Sequence, residues 1–208
     1  LVKRALDAGV RTFVLEKPLA TSLDEAERLA ALLRAHDATV SVNYLRRYAA
    51  GLIDARGRLN RGELGAPQVA SVLYGKGLNN NGSHAIDLMR WWLGEPERVT
   101  VVGRVDDGRD EDPTLHLHYD VRHAQGGTLP VSFHGCDHRA ISLFEVDVVC
   151  ERGRLRLTER GDQVRVSTVA DDPAFPGYSA LGPEVVTAGG VNNAVAGLLD
   201  DLVAVLTG

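Results

Sequence analysis

The chain has 208 residues and a formal net charge of −5, from 23 lysine and arginine against 28 aspartate and glutamate residues. Because neither sign of charge forms a long block, the composition argues against a nucleic-acid surface. No apolar run approaches the roughly 20 residues that cross a bilayer, so we expect no membrane contact. The two cysteines, Cys136 and Cys150, lack a metal-binding spacing, which favours a cytoplasmic location and no metal site.

The chain begins at Leu1 inside a helical pattern that Gly9 closes. No capping residue precedes this pattern. We therefore expect a piece of a longer protein.

The following residues alternate between strand and helix. The predicted elements are a strand, a capped helix and a second strand, over residues 12–15, 22–33 and 38–42. Pro18 ends the first strand because proline cannot continue a central ladder. This alternation predicts a parallel α/β sheet, which we assign to residues 1–44.

From residue 45 onward the pattern changes. Three helices are predicted, over residues 46–61, 83–93 and 192–206. Seven strands are predicted, over residues 69–74, 97–105, 114–121, 128–133, 144–150, 154–158 and 163–168. A hairpin turn is predicted at Gly126 and Gly127, and a long surface loop over residues 171–190. Strands in succession predict an α+β domain, residues 45–208, with a large and mostly antiparallel sheet.

One histidine stands at the start of the helix predicted over residues 83–93. The unpaired amides and positive dipole end of a helix N-terminus disfavour imidazolium, so we expect a neutral His84 that accepts a proton. Asp87 lies three residues on, where it either orients this ring or pairs with a cation. The alternative is a capping turn in which Ser83 is the N-cap and His84 is solvated.

A lysine follows the first predicted strand in the tripeptide Glu16-Lys17-Pro18. Open α/β sheets bind ligands at the carboxyl ends of their strands. The three N–H donors of Lys17 suit it to hold a substrate hydroxyl or to assist proton movement. The alternative is a solvated Glu-Lys pair at a strand end.

Further polar residues offer weaker signals. The amide of Asn80 donates and accepts, which suits ligand contact or a turn. Arg47 is able to bind a carboxylate or phosphate through two hydrogen bonds, although a basic helix face is usually solvated. His116 and His118 share a sheet face without a third ligand at metal-binding spacing.

Two separated segments carry a family resemblance. Residues 15–20, Leu-Glu-Lys-Pro-Leu-Ala, precede a helix, and residues 82–88 read Gly-Ser-His-Ala-Ile-Asp-Leu. Together, in this order, they resemble the EKP motif and the histidine signature of the Gfo/Idh/MocA oxidoreductases, the glucose-fructose oxidoreductase and inositol dehydrogenase type. Residues 42–48 and 62–65 fall between them in the family's order.

The resemblance implies the C-terminal part of a Rossmann domain followed by a substrate domain. Hydride would move between NAD or NADP and a sugar-like or cyclitol-like alcohol, with Lys17 holding the hydroxyl and His84 accepting its proton. Cofactor and substrate contacts would fall on Glu16, Lys17 and Pro18, and on Asn80, Asp87 and Arg47, respectively. The resemblance also implies a homo-oligomer formed through the open sheet.

Three features depart from the family pattern. The Gly-x-Gly-x-x-Gly nucleotide fingerprint is absent from these 208 residues, so we expect this chain alone to bind dinucleotide weakly and to be inactive. Asn80 replaces the aspartate of many members, which leaves proton transfer to His84 and Lys17. The segment between Gly65 and His84 is short, which alters substrate choice. The alternative function is a non-catalytic binding or assembly module derived from the same fold.

Overall fold

The protein is described by a computed structural model that covers residues 1–122 and 127–207. Its first part contains α1 (Val2–Asp7), β1 (Thr12–Leu15), α2 (Leu23–Ala35) and β2 (Thr39–Val42). The two strands pair in parallel, with Thr12 opposite Thr39 and Leu15 opposite Val42. This confirms the predicted α/β alternation.

A small hydrophobic core belongs to this first part. Leu6, Phe13 and Leu33 form it, one residue each from α1, β1 and α2. The predicted cap of α2 is present, since the backbone N–H of Glu25 donates to Oγ of Ser22 at 3.3 Å. Burial on one face of each element therefore fixes β1, whose carboxyl end carries Lys17.

The single basic helix predicted over residues 46–61 is wrong. A 3₁₀-helix (Leu45–Tyr48) is followed by α3 (Ala50–Asn60), and the buried Ala49 between them is extended, with φ −78° and ψ 119°. The helix α5 (Ala194–Thr207) packs against the 3₁₀-helix, a long-range contact that no local pattern signals. Arg46 and Arg47 are thereby separated from the solvated face of α3.

The second part is built on a nine-stranded sheet. Its strands are β3 (Pro67–Gly75), β4 (Pro96–Arg104), β5 (Leu115–Arg122), β6 (Thr128–Cys136), β7 (Phe144–Cys150), β8 (Gly153–Thr158), β9 (Gln163–Asp171), β10 (Ser179–Leu181) and β11 (Val185–Ala188). The strand order is β10-β9-β8-β7-β3-β6-β5-β4, with β11 also paired to β9. Among the described strands of this sheet, β3 and β6 alone pair in parallel, which confirms the predicted mostly antiparallel sheet.

Two strands replace part of the surface loop predicted over residues 171–190. β10 and β11 pair antiparallel with β9 and satisfy its backbone groups. The residues of β11 are all exposed, so the strand lacks the alternation that reveals a half-buried strand in sequence. The turn predicted at Gly126 and Gly127 involves residues outside the described ranges.

One face of the large sheet carries the main hydrophobic core. Side chains alternate between buried and partly exposed along β7 and β8, as expected for a sheet covered on one side. The helix α4 (Ser83–Leu93) packs against the core through Leu88, Met89 and Trp92. A six-residue π-helix (Gly77–Gly82) joins β3 to α4 and continues directly into it.

Candidate active site

Lys17 follows the carboxyl end of β1, and its peptide bond to Pro18 is cis. Neighbouring Glu16 accepts a hydrogen bond from Asn43, the residue after β2, whose Nδ2 lies 2.7 Å from Oε1 of Glu16. This bond connects the ends of two adjacent parallel strands. The Glu16-Lys17-Pro18 segment therefore has a defined backbone position and is not a freely solvated strand end.

The Lys17 amine reaches the second part of the chain at Asn80. Nζ donates to the backbone oxygen of Asn80 and to its side-chain oxygen Oδ1, each at 2.8 Å. An ammonium group has three N–H donors, so one remains for a ligand. Burial, followed by the positive charge of Arg46, lowers the pKa of Lys17 from its ordinary value.

Asn80 belongs to the π-helix, and this position corrects the sequence prediction for His84. The helical segment begins at Gly77, so His84 lies about two turns inside it and not at its N-terminus. Ser83 is not an N-cap: its hydroxyl donates to the backbone oxygens of Asn79 and Asn80 at 2.7 and 2.9 Å. The helix dipole therefore does not account for the state of the histidine.

His84 is a neutral ring for a different reason. Burial, with smaller contributions from the positive charges of Arg46 and Lys17, lowers its pKa to about 3. The ring meets Tyr44 edge to face, with centroids 5.8 Å apart. Nδ1 is buried, and within the described part of the chain neither ring nitrogen has a hydrogen-bond partner.

Arg46 is a site residue that the sequence analysis missed. Its guanidinium carbon lies 3.9 Å from the centroid of the Phe144 ring, and its buried Nε has no hydrogen-bond partner among the described residues. Burial lowers its pKa to about 10, and the charge of Asp162 opposes this shift. The only local signal is the pair of arginines after Asn43, which does not tell which of the two turns inward.

Arg47 and Asp87 bind each other. Nη2 of Arg47 donates to Oδ1 of Asp87 at 2.8 Å, and Nε donates to Oδ2 at 2.9 Å. Of the two roles considered for Asp87, pairing with a cation is the one observed. The pair lines a cavity of about 430 Å³ together with Tyr44, Tyr48 and Asp201. Substrate contact by either residue stays a prediction.

The structure thus brings Lys17, Asn80 and His84 together with Arg46, while Arg47 and Asp87 form a separate pair nearby. Three buried polar atoms without described partners, on Asn43, Arg46 and His84, belong to residues next to this cluster or in it. Buried polar atoms are normally paired, and the grouping of these three around the Lys17 amine is what suits the place to a polar ligand. No group of three metal-binding side chains occurs in the described ranges.

The fold defines a protein with a short Rossmann-type parallel sheet and an α+β part built on a large sheet. Hydrogen bonds from Lys17 connect the first part to the helical segment that contains His84. The model "GFO/IDH/MocA C-terminal domain" matches residues 56–156, and "Oxidoreductase family, NAD-binding Rossmann fold" matches residues 1–44. Together they cover more than two thirds of the sequence. The chain belongs to the Gfo/Idh/MocA oxidoreductase family, and its first 44 residues are part of that family's NAD-binding domain.

Solved structures share this fold. An oxidoreductase from Sinorhizobium meliloti matches with a TM-score of 0.72 and 16% identity, covering 90% of this chain and 53% of that one. An inositol dehydrogenase homolog from Azotobacter vinelandii, complexed with NADH and myo-inositol, matches with a TM-score of 0.65 and 21% identity, covering 89% of this chain and 52% of that one. A super-repressor mutant of Gal80p from Saccharomyces cerevisiae matches with a TM-score of 0.70 and 14% identity, covering 92% of this chain and 60% of that one.

The chain spans a little over half the length of the first of these structures. A comparison with curated protein sequences gives no match. Because the fold is shared by proteins described as oxidoreductases and as a repressor, it does not by itself establish catalysis.

The residues present fit the nicotinamide end of a dinucleotide. A half-buried amine with one N–H to spare and a neutral, unpartnered imidazole lie near the carboxyl end of β1. The pyrophosphate end is different, because the glycine-rich loop that cradles it is absent from these residues. Lys17 and Pro18 would hold the ring end of the cofactor.

Proposed function

We propose that this chain carries the Lys17–His84 centre of an NAD(P)-dependent oxidoreductase that transfers hydride between nicotinamide and the CH–OH carbon of a sugar-like or cyclitol-like alcohol. The observation that carries the proposal is the pair of 2.8 Å hydrogen bonds from Lys17 to Asn80. These bonds tie an amine at the cofactor-binding sheet to the helical segment that contains His84.

Lys17 has the role of binding and polarising the reacting hydroxyl. Its remaining N–H donates to the substrate oxygen, and its positive charge stabilises the negative charge that develops there as the proton leaves. Two bonds to Asn80 fix the direction of this donor, so little reorientation accompanies the reaction.

His84 has the role of accepting the hydroxyl proton. With a pKa of about 3 the ring is unprotonated at neutral pH and always able to accept. Each pKa unit below the working pH costs about 1.4 kcal/mol in proton transfer, so His84 alone is a weak base. The charge of Lys17 on the same oxygen offsets part of this cost by lowering the pKa of the hydroxyl.

The reaction balances with these groups. When bound, the nicotinamide supplies the hydride acceptor. The C–H bond of the alcohol carbon breaks with its electron pair, the O–H proton passes to His84, and the carbon becomes a carbonyl carbon. Lys17 holds the oxygen throughout, and Nδ1 of His84 is buried away from water.

A polyol substrate is supported by the polar atoms at the site. The unpaired Nε of Arg46 and Oδ1 of Asn43 offer a donor and an acceptor, which suits a ligand with several hydroxyl groups. The structural neighbour from Azotobacter vinelandii binds myo-inositol, a cyclitol. We extend that substrate class, and the choice of NAD or NADP, to this protein as part of the proposal.

The experiment uses the full-length gene product with NAD+ or NADP+. Cyclitols and sugars deuterated at a single CH–OH carbon are supplied, and mass spectrometry of the reduced cofactor detects transferred deuterium. We expect transfer from at least one such alcohol, abolished in the Lys17→Met variant. Cofactor binding without transfer from any member of the panel would contradict the proposed reaction.

A non-catalytic module of the same fold is the less favoured alternative. It would explain Asn80 in place of an aspartate. It gives no reason, however, for a half-buried neutral histidine near a lysine that keeps one free donor. The matched family is also one of oxidoreductases.

The proposal includes a homo-oligomer and a cytoplasmic location. Three apolar side chains on the edge strand β4 are 57 to 69% exposed, namely Val99, Val101 and Val102, and a partner sheet would cover them. Light scattering of the full-length protein, with Val101→Lys as the disrupting variant, tests the assembly.

The proposed cytoplasmic location fits the two cysteines. Both Cys136 and Cys150 are free thiols, as expected in a reducing compartment. In the described ranges no helix has the length and apolarity to span a membrane.

A further inference from the structure

The π-helix before α4 is held by a neighbouring loop at its first four N–H groups. Helix starts leave N–H groups without intrahelical acceptors. Here the acceptors run in reverse order along residues 112–114, in the loop between β4 and β5. The bonds join Gly77 to Oγ1 of Thr114 (2.8 Å), Leu78 to the oxygen of Pro113 (3.0 Å), Asn79 to Oδ1 of Asp112 (2.7 Å) and Asn80 to Oδ2 of Asp112 (3.2 Å).

Asp112 is itself fixed in place. Arg109 donates through Nη2 to Oδ2 of Asp112 at 3.2 Å, and through Nε to its backbone oxygen at 3.3 Å. The contact with the π-helix is tight, because a Cβ added to Gly77 would lie 2.0 Å from Oδ2 of Asp112. Gly77 also has φ +87°, a region that favours glycine. The Asp112 carboxylate therefore packs directly against the backbone of Gly77, which leaves no space for a side chain at residue 77.

The other end of the loop is fixed as well. The hydroxyl of Thr114, fully buried, donates to Oδ2 of Asp107 at 2.6 Å while it accepts from Gly77. Asp107 is also buried and lies 3.4 Å from Nδ1 of His138. Because the loop is fixed at both ends, it can hold the start of the π-helix in place instead of moving with it.

Residues 112–114 and the N–H groups that they bind form a clamp on the start of the π-helix. Asn80 links this clamp to the proposed reaction. The residue receives a bond from Lys17 on each of its two oxygens, and its own N–H is bound by Asp112. Displacement of the Asp112 carboxylate would thus move the two acceptors that direct the lysine. No other described residue accepts a hydrogen bond from the Lys17 amine.

We infer that Asp112 is a positioning residue for the Lys17 amine, acting through Asn80. The inference rests on the proposed function only in giving Lys17 a substrate to hold. It assigns no direct contact between Asp112 and the substrate, so Asp112 is not a catalytic residue.

Charge provides a readout for this role. The groups that act on Lys17 are Glu16 and Asp112, which raise its pKa, and Arg46 and Lys76, which lower it along with burial. Removing the charge of Asp112 should therefore lower the pKa of Lys17 further. This shift reports that the Asp112 carboxylate acts on the amine by its charge, and the change in kcat relative to KM reports positioning.

The test compares Asp112→Asn with Asp110→Asn in the full-length protein. Asp110 lies in the same loop but is exposed and pairs with Arg104. The Lys17 amine is titrated by NMR with labelled lysine, its signal assigned from Lys17→Arg. We expect Asp112→Asn to lower the pKa of Lys17 and to reduce kcat about 10- to 100-fold, with a smaller change in KM. A Lys17 titration that is the same in both variants would overturn the inference.

A second pair guards against misfolding of the first variant. Thr114→Ser retains the hydroxyl that accepts from Gly77, and Thr114→Val removes it at similar volume. We expect Thr114→Ser to keep the wild-type rate and Thr114→Val to lose part of it. Equal rates in two folded proteins would count against the clamp. If the pKa of Lys17 shifts in Thr114→Val, which changes no charge, but not in Thr114→Ser, and the wild type transfers no hydride, positioning stands and the proposed function fails.

Discussion

Lys17 and Asn80, 63 residues apart in the sequence, are joined by two hydrogen bonds of 2.8 Å. One partner follows the short parallel sheet and the other lies in the helical segment that leads to His84. The two bonds leave the amine with a single free donor and a defined direction. The relation between the two parts of the chain, rather than either part alone, supplies the proposed chemistry.

The positive charge of Arg46 adds to the effect of burial in lowering the pKa of His84. Replacing this arginine by methionine in Arg46→Met should raise the pKa of His84 from about 3 towards its ordinary value, because one of the two opposing cations is removed. NMR titration of the histidine ring protons measures the shift, with His84→Gln assigning the signal. Arg61→Met, at an exposed arginine paired with Glu63, is the control and should leave His84 unchanged. An unchanged pKa of His84 in Arg46→Met would contradict the contribution assigned to the charge of Arg46.

His84 also links stability to acid pH. Its pKa is lower in the folded state than in the unfolded chain, so the unfolded chain binds the extra proton first as pH falls. Stability from this group is full above about pH 6.5 and is lost between there and about pH 3, by at most about 1.4 kcal/mol per pH unit. Urea unfolding at pH 7 and pH 4.5 should show a smaller loss for His84→Gln than for wild type.

The matched control for this linkage is His134→Gln, which replaces an exposed histidine on β6. Its acid sensitivity should equal that of the wild type. Equal losses in the His84 and His134 variants would show that burial of His84 does not carry the effect.

The Arg47–Asp87 pair should contribute to stability. Asp87 is buried, with its side chain 11% exposed, and Asp87→Asn leaves the Arg47 guanidinium without a charged partner. We expect a loss of about 1–3 kcal/mol in the free energy of unfolding. Asp54→Asn, in an exposed pair with Arg58, should cost less than about 1 kcal/mol. A loss in Asp87→Asn no larger than in Asp54→Asn would refute this role for the pair.

Local patterns predicted much of the fold. The alternation from β1 to β2 and the hydrophobic face of α4 depend on spacing along the chain, and both were found where expected. β11 was missed because its exposed residues lack alternation, and the 3₁₀-helix because its cause is packing by the distant α5. Local order is therefore readable where burial repeats with a fixed period.

The site shows the same division. Lys17 and His84 stand in short motifs, so they could be proposed from sequence, and the structure brings their neighbourhoods together. The neutral state of His84 was expected for the wrong reason, since a π-helix extends α4 beyond the predicted start. Arg46 and Asp112 could not be found, because their partners lie far away in the chain.

The most direct measurement is a double-mutant cycle on hydride transfer by the full-length gene product, with Lys17→Met, His84→Gln and the combined variant. If the two residues act on one hydroxyl, each single change should lower kcat/KM by about 100-fold or more, and the double variant should be little worse than either. Multiplying losses, or a single variant with wild-type turnover, would contradict a shared centre.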